Sequence, residues 1–276
     1  DLRLDIRNTS KTISIINEIQ PDFVFHLAAQ SLVGPAYDNP INTWETNLLG
    51  TVNILEAIRQ NDKKCCAVII TSDKCYDNQE WLWGYKETDK LGGPDPYSAS
   101  KGAAEIAINS YYKSFFSKND HIRIASARAG NVIGGGDWSN LRIIPDCIKA
   151  WSKKENLVLR NPFATRPWQH VFEPLSGYMQ LAESLNASDK HNGESFNFGP
   201  SSEQNYSVQE LVSQMSKLWK DSKWEVHKEA DISFYESKLL KLNCEKALAD
   251  LNWKSVLSFN ENINFTSEWY QEFYKN

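Results

Sequence analysis

The chain has 276 residues, 41% of them hydrophobic and 12% aromatic, which excludes a disordered chain and is ample for a buried core. Its 30 basic and 35 acidic side chains give a formal net charge of -5, and no Lys/Arg-dense stretch is present, which argues against a nucleic-acid surface. No apolar run nears the roughly 18 residues of a membrane span, no signal peptide is visible, and 5 cysteines without a CxxC pair read as reduced thiols, so a soluble, cytoplasmic protein is expected.

In chain order, LRLDI (residues 2–6) reads as the end of a strand, and NTSKTISIINEIQ (8–20) as a capped amphipathic helix. PDFVFHLAAQ (21–30) suits a short buried strand. Apolar residues at helical spacing, Leu48, Val52, Leu55 and Ile58, predict a helix from about Trp44 to Gln60. KKCCAVIITS (63–72) is a second buried strand, PYSASKGAAEIAINSYYKSFF (96–116) a long helix, and HIRIASARAGNVIG (121–134) a third strand. Strands alternating with helices predict an α/β fold with a doubly wound parallel sheet, whose ligands lie in the crevice at the strands' carboxyl ends. After about Gly136 the alternation breaks down. Residues 142–154 and 207–221 read as helices, ESFNFGP (194–200) as a short strand, and the last seventy residues as short helices between Trp-rich loops. A smaller α/β substrate domain is expected there. The expected division is residues 1–137 with about 168–200 against about 138–167 with 201–276.

Two clusters carry chemistry. Tyr97 and Lys101 stand four apart at the start of a helix and so share one face. An ammonium beside a phenol favours the phenolate and lowers a pKa that is ordinarily about 10, making the tyrosine a base for a substrate hydroxyl. Tyr-x-x-x-Lys on its own is equally the spacing of an incidental surface pair. In TSDKCY, at a strand end, Thr71, Ser72, Asp73 and Lys74 set two hydroxyls, an acid and a base side by side. A salt-bridged turn closing the strand is the plain alternative.

With the strand ends HLAAQS and RAGNVIGGGDW, these motifs resemble the extended short-chain dehydrogenase/reductase family, whose members act on nucleotide sugars with tightly held NAD(P). The resemblance runs from Asp5 to the C-terminal region. Within that family, TSDKCYDNQEWLWGYKETDKLGGPDPYSASKGAAE, GNVIGGGDW and RPWQHVFEPLSGY are most similar to the dehydratases that act on CDP-glucose. Related dehydratases for dTDP-glucose and GDP-mannose generally carry Asp-Glu where this chain has Asp73-Lys74.

The resemblance implies a Rossmann-type sheet, NAD as cofactor, no metal, CDP-glucose as substrate, and a lyase of deoxysugar and lipopolysaccharide biosynthesis. It also implies a homodimer or tetramer formed through the helices at 44–60 and 96–116. Tyr97, assisted by Lys101, would take the proton of the sugar's C4 hydroxyl while C4 gives hydride to NAD. One of Asp73 and Lys74 would then remove the C5 proton and the other protonate the departing C6 hydroxyl, with Thr71 or Ser72 bonded to the C4 oxygen. An elimination needs acid and base together because it takes a proton from one carbon and gives one to the oxygen on the next. Asp5 and Ile6 would meet adenine, Leu27, Ala28 and Ala29 the ribose and phosphate, and Tyr97 and Lys101 the nicotinamide ribose. Asp5 also reads as a plain polar strand end.

Asn131 and Arg166 would meet the substrate phosphates, although Arg166 stacked on Trp168 is the competing reading. Ser31, Ser72 and Gln30 would reach the sugar, while His170 reads as a core histidine and no tryptophan is assigned to the ligand. The family's Gly-rich dinucleotide loop is missing, and GGGD (134–137) reads instead as a flexible substrate-side loop. Because the chain starts abruptly without Met, it is expected to be a piece of something longer, lacking the sheet's N-terminal strands and leaving an exposed sheet edge. Two alternatives remain open: a related epimerase or dehydratase, of which an epimerase does not need the Asp-Lys pair, and a non-catalytic fragment without the NAD half.

Overall fold

The computed structural model describes residues 1–201, 203–226, 237 and 239–275. Helix α1 (Thr9–Ile19) starts where the Asn8 side chain accepts from the Lys11 amide, and leads into strand β1 (Phe23–His26). Two short helices, α2 (Val33–Asp38) and α3 (Pro40–Trp44), run into a π-turn (Glu45–Leu49) and then α4 (Gly50–Arg59). Strand β2 (Cys65–Ile70) follows and ends in a 3-10 turn (Asp73–Cys75). Helix α5 (Pro96–Tyr111) begins with proline at its first position behind an Asp95 cap, and a π-turn (Tyr112–Phe116) closes it before strand β3 (Ile122–Ala129). Strand β4 (Val132–Ile133), α6 (Ile143–Ser152), β5 (Asn156–Leu159), β6 (Thr165–Arg166), β7 (Gln169–His170), α7 (Phe172–Ala187) and β8 (Ser195–Phe198) come next. The remainder is β9 (Tyr206–Ser207), α8 (Val208–Leu218), β10 (Lys223–Val226), α9 (Glu245–Leu251) and α10 (Phe259–Lys275).

Four of these strands form the main sheet in the order β1-β2-β3-β8, all parallel, so their carboxyl ends face one side. Strand β2 is apolar throughout because both its faces are covered. Leu55, Ile58, Ile69, Ile108 and Ile124 fill one side, and Val68, Ala127, Leu181, Phe196 and Trp253 the other. A separate core of Ile148, Trp151, Leu211, Met215, Ile263 and Tyr270 lies under the small parallel pair β5–β10 and helices α6, α8 and α10.

Two expectations need correction. Residues 2–6 form no strand: β1 is the sheet edge, no described strand pairs with it on that side, and a strand exists only with a partner. Ile6 is held instead by the Asn53 amide, which donates to its carbonyl at 2.9 Å. The C-terminal stretch ends in a single 17-residue helix, α10, because Phe259, Ile263, Thr266 and Tyr270 recur at helical spacing on its buried side. Along the edge strand, Phe23, Phe25 and the following Leu27 stay substantially exposed. No described helix is long and apolar enough to cross a membrane, and all five cysteines are free.

Candidate active site

Strand β2 pairs with β3 up to the Thr71 amide, which donates to the Ala127 carbonyl at 2.9 Å. The chain then turns. Ser72, in extended conformation, caps the 3-10 turn by accepting from the Lys74 amide at 3.2 Å. That turn buries Asp73 to 4% exposure and leaves Lys74 half-buried on the wall of a cavity of about 310 Å³. The Ser72 hydroxyl donates to Asp73 Oδ1 at 2.9 Å, and the Asn131 amide donates to Oδ2 at 3.2 Å. Backbone presses on the same carboxylate, since a Cβ on Gly130 would fall 1.9 Å from Asp73 Oδ2; only glycine lets the end of β3 pass. Burial pushes the Asp73 carboxyl up, against the lowering pull of Lys74, the Ser72 hydrogen bond and Arg166.

Helix α5 brings its first turns against this strand end. Tyr97 and Lys101 are both buried. Burial pushes Tyr97 up to about 12 and Lys101 down to about 8, while the Ser72 hydroxyl and Arg142 pull the phenol down. At the dry base of the cleft, desolvation of each group outweighs the neighbouring charges. Thr71 also needs correction as the hydroxyl for the C4 oxygen, because its Oγ1 donates to the buried Glu105 carboxylate. The hydroxyl beside Tyr97 and Asp73 is Ser72.

The cavity wall gathers Ser31, Lys74, Asn131, Arg166, Trp168 and, beyond the residues the sequence singled out, Arg142. Arg142 donates to Ser31 Oγ at 3.1 Å and pairs with Asp137 at 3.1 Å, and its charge favours the Tyr97 phenolate. Asn131 adopts φ 53°, one of few non-glycine residues in the left-handed region, and it spends one amide hydrogen on Asp73. Arg166 is buried, and its Nη1 donates to the Thr165 carbonyl at 2.8 Å. His170 packs edge-on against Phe172, away from this chemistry. The GGGD segment is a held loop rather than a loose one: Gly135 sits so close to Trp269 that a Cβ would come within 2.1 Å of its ring, and the Asp137 carbonyl accepts from Tyr270 at 2.7 Å.

On the β1 side, Leu27 and Ala28 are exposed and Ala29 half-buried, and the next residue is latched by Asn47. The Asn47 amide accepts from the Gln30 N–H at 2.8 Å, donates to the Gln30 carbonyl at 3.0 Å and donates to Ser100 on α5 at 2.9 Å. Asn47 lies inside the first π-turn, a helical irregularity that often marks functional positions. Asp5 is exposed and bound by Arg7 at 2.6 Å, which lowers its carboxyl to about 2 and keeps it an acceptor, while Ile6 packs over Gly50. The accessible Leu27–Ala29 backbone with its two small side chains, the ionised Asp5, and the Tyr97/Lys101 pair fit a dinucleotide lying across the strand ends.

The parallel sheet, with Tyr97 and Lys101 buried on the helix packed against the turn at its carboxyl edge, is that of a Rossmann-type short-chain dehydrogenase/reductase. The chain belongs to the GDP-mannose 4,6 dehydratase family, whose model matches residues 2–266. It is 42% identical over 272 residues to CDP-glucose 4,6-dehydratase of Salmonella typhimurium, covering 97% of this chain and 75% of that protein. Among solved structures, Pal from Bacillus thuringiensis superposes with a TM-score of 0.85 at 24% identity over 99% of this chain and 83% of its own. dTDP-glucose 4,6-dehydratase from Bacillus anthracis, in complex with NAD, superposes with 0.78 at 21% identity over 99% of this chain and 80% of its own.

Proposed function

We propose that the protein dehydrates CDP-D-glucose to CDP-4-dehydro-6-deoxy-D-glucose. The observation that carries this reading is the buried Asp73 beside the cavity-lining Lys74, set against Tyr97, in a chain 42% identical to a CDP-glucose 4,6-dehydratase. NAD, when bound, supplies the acceptor for hydride from C4 and its return to C6. Asp5, Ile6, Leu27, Ala28, Ala29, Tyr97 and Lys101 would hold it. Tyr97 takes the C4 hydroxyl proton, with Ser72 rather than Thr71 bonded to the C4 oxygen. A ketone at C4 acidifies the C5 proton, which Lys74 removes from the cavity side, and Lys74 returns a proton to C5 as hydride arrives at C6. Asp73, whose carboxyl is raised by burial, gives its proton to the leaving C6 hydroxyl. Arg166 and Arg142 supply positive charge for the pyrophosphate, and the second N–H of the Asn131 amide and Ser31 supply polar contacts.

The same reading places the enzyme in the cytoplasm, in deoxysugar synthesis for surface lipopolysaccharide. Residues 1–137 with about 168–200 would bind the cofactor, and about 138–167 with 201–276 the sugar nucleotide. A homodimer, or a tetramer built from it, would form through α4 and α5, whose outer side carries the exposed Ile106 and, just beyond α5, Phe115.

The test is incubation with NAD and, separately, CDP-, dTDP-, UDP- and GDP-hexoses, followed by mass spectrometry of each nucleotide sugar. Loss of one water from CDP-glucose alone is the expected result. An unchanged mass with an inverted stereocentre would make the protein an epimerase and the Asp73–Lys74 pair a structural turn.

A further inference from the structure

The turn that carries Ser72, Asp73 and Lys74 is held at both ends by one buried ion pair that lines no part of the cavity. Glu105 lies on α5 one helical turn beyond Lys101 and two beyond Tyr97, on the same face. Its carboxylate accepts from Thr71 at Oε1, and at Oε2 from Ser126 Oγ and Arg128 Nη2, both at 2.8 Å. Arg128, on β3, donates in turn to the Tyr76 hydroxyl at 2.8 Å, to the Glu87 carbonyl at 3.0 Å and to Ser195 Oγ at 3.1 Å. The Tyr76 hydroxyl donates to Asn197 Oδ1 at 2.7 Å on β8. Thr71 stands immediately before the reactive triplet and Tyr76 two residues after it. Glu105 therefore grips one end of the turn and Arg128 the other, while Glu105 itself rides on the helix that presents Tyr97 and Lys101.

We propose that the Glu105–Arg128 pair is a positioning clamp, with Thr71 and Tyr76 as its two grips, that fixes the Ser72–Lys74 turn against Tyr97 and Lys101. A buried ion pair seldom adds net stability over apolar residues of the same volume. What this one adds is geometry: its bonds converge from α5, the residue after β2, β3, β8 and the segment after the 3-10 turn, and a displacement of about 1 Å at a catalytic group can cost about a hundredfold in rate. The proposal rests on the dehydratase reading for its kinetic consequence only.

The experiment uses Thr71→Val, Thr71→Ser and Tyr76→Phe in the full chain, measuring kcat and KM for CDP-glucose, melting temperature, and amide hydrogen exchange across residues 71–76. Thr71→Val and Tyr76→Phe should each lower kcat about tenfold or more with KM within about twofold, and should speed exchange across the turn. Thr71→Ser, which keeps the hydroxyl, should restore both. Lower melting temperatures with kcat within about twofold of the parent and unchanged exchange would overturn the proposal, leaving the pair merely structural. Failure of the parent to dehydrate CDP-glucose would defeat the functional reading instead, and hydrogen exchange would still judge the clamp.

Discussion

Two buried carboxylates, Glu105 on α5 and Asp73 in the turn that ends β2, end up in opposite states. Glu105 is enclosed by Arg128, Thr71 and Ser126, and these partners hold its carboxyl below the usual range despite complete burial. Asp73 is as deeply buried but meets a hydroxyl and an amide directly, with Lys74 and Arg166 acting on it only as nearby charges, and its carboxyl is raised. Burial is common to both; a directly bonded guanidinium is what differs. The acid bonded to a guanidinium ties α5 to β3, and the other stays raised beside the cavity-lining Lys74.

The largest effect that sharpens this contrast is expected at Tyr97. Tyr97→Phe should lower kcat by about 10²–10⁴ while leaving urea denaturation unchanged, since it removes a proton acceptor and no packing. On the framework side, Arg128→Met should cost about 3–5 kcal/mol in urea melts, because it strands the ionised Glu105 without a partner. Asp73→Asn probes the other acid: stability should stay within about 1 kcal/mol because burial already raises the carboxyl it replaces, whereas dehydration should slow about a hundredfold. Equal destabilisation of the Arg128 and Asp73 variants would break the comparison.

The smallest effect concerns pH. His26 is buried with Nε2 at 3.0 Å from Thr51 Oγ1, and burial, with the Lys101 charge, lowers it to about 4 from 6.5. The unfolded chain binds this proton as pH falls through about 6.5 and the folded chain only near 4, so stability is lost on acidification across that window. Between about pH 7 and pH 5 the loss from this one group is about 2 kcal/mol, and urea melts of His26→Gln should lack that component.

The parallel sheet was legible because its strands and helices have unmixed periods and clear caps, and the grouping of Asp73 and Lys74 at one strand end and of Tyr97 and Lys101 on one helix face was legible because their spacing is local. What was not legible was set by partners distant in sequence. Residues 2–6 look like a strand but have no described strand to pair with, and Thr71 looks like a substrate ligand until Glu105, 34 residues on, takes its hydroxyl. Arg142 and Asn47 carried only a weak signal, an arginine following a glycine-rich loop and an asparagine inside an apolar helical pattern. The upward shift of Tyr97 depends on how much protein covers it, which spacing cannot report.

The most direct test of the account is to incubate the protein with NAD and CDP-glucose in deuterated water and weigh the product. An elimination run by Lys74 and Asp73 replaces the C5 proton with one from solvent, so the product should be lighter by one water and carry one deuteron at C5. Recovery of CDP-glucose at its original mass, with no deuteron, would contradict it.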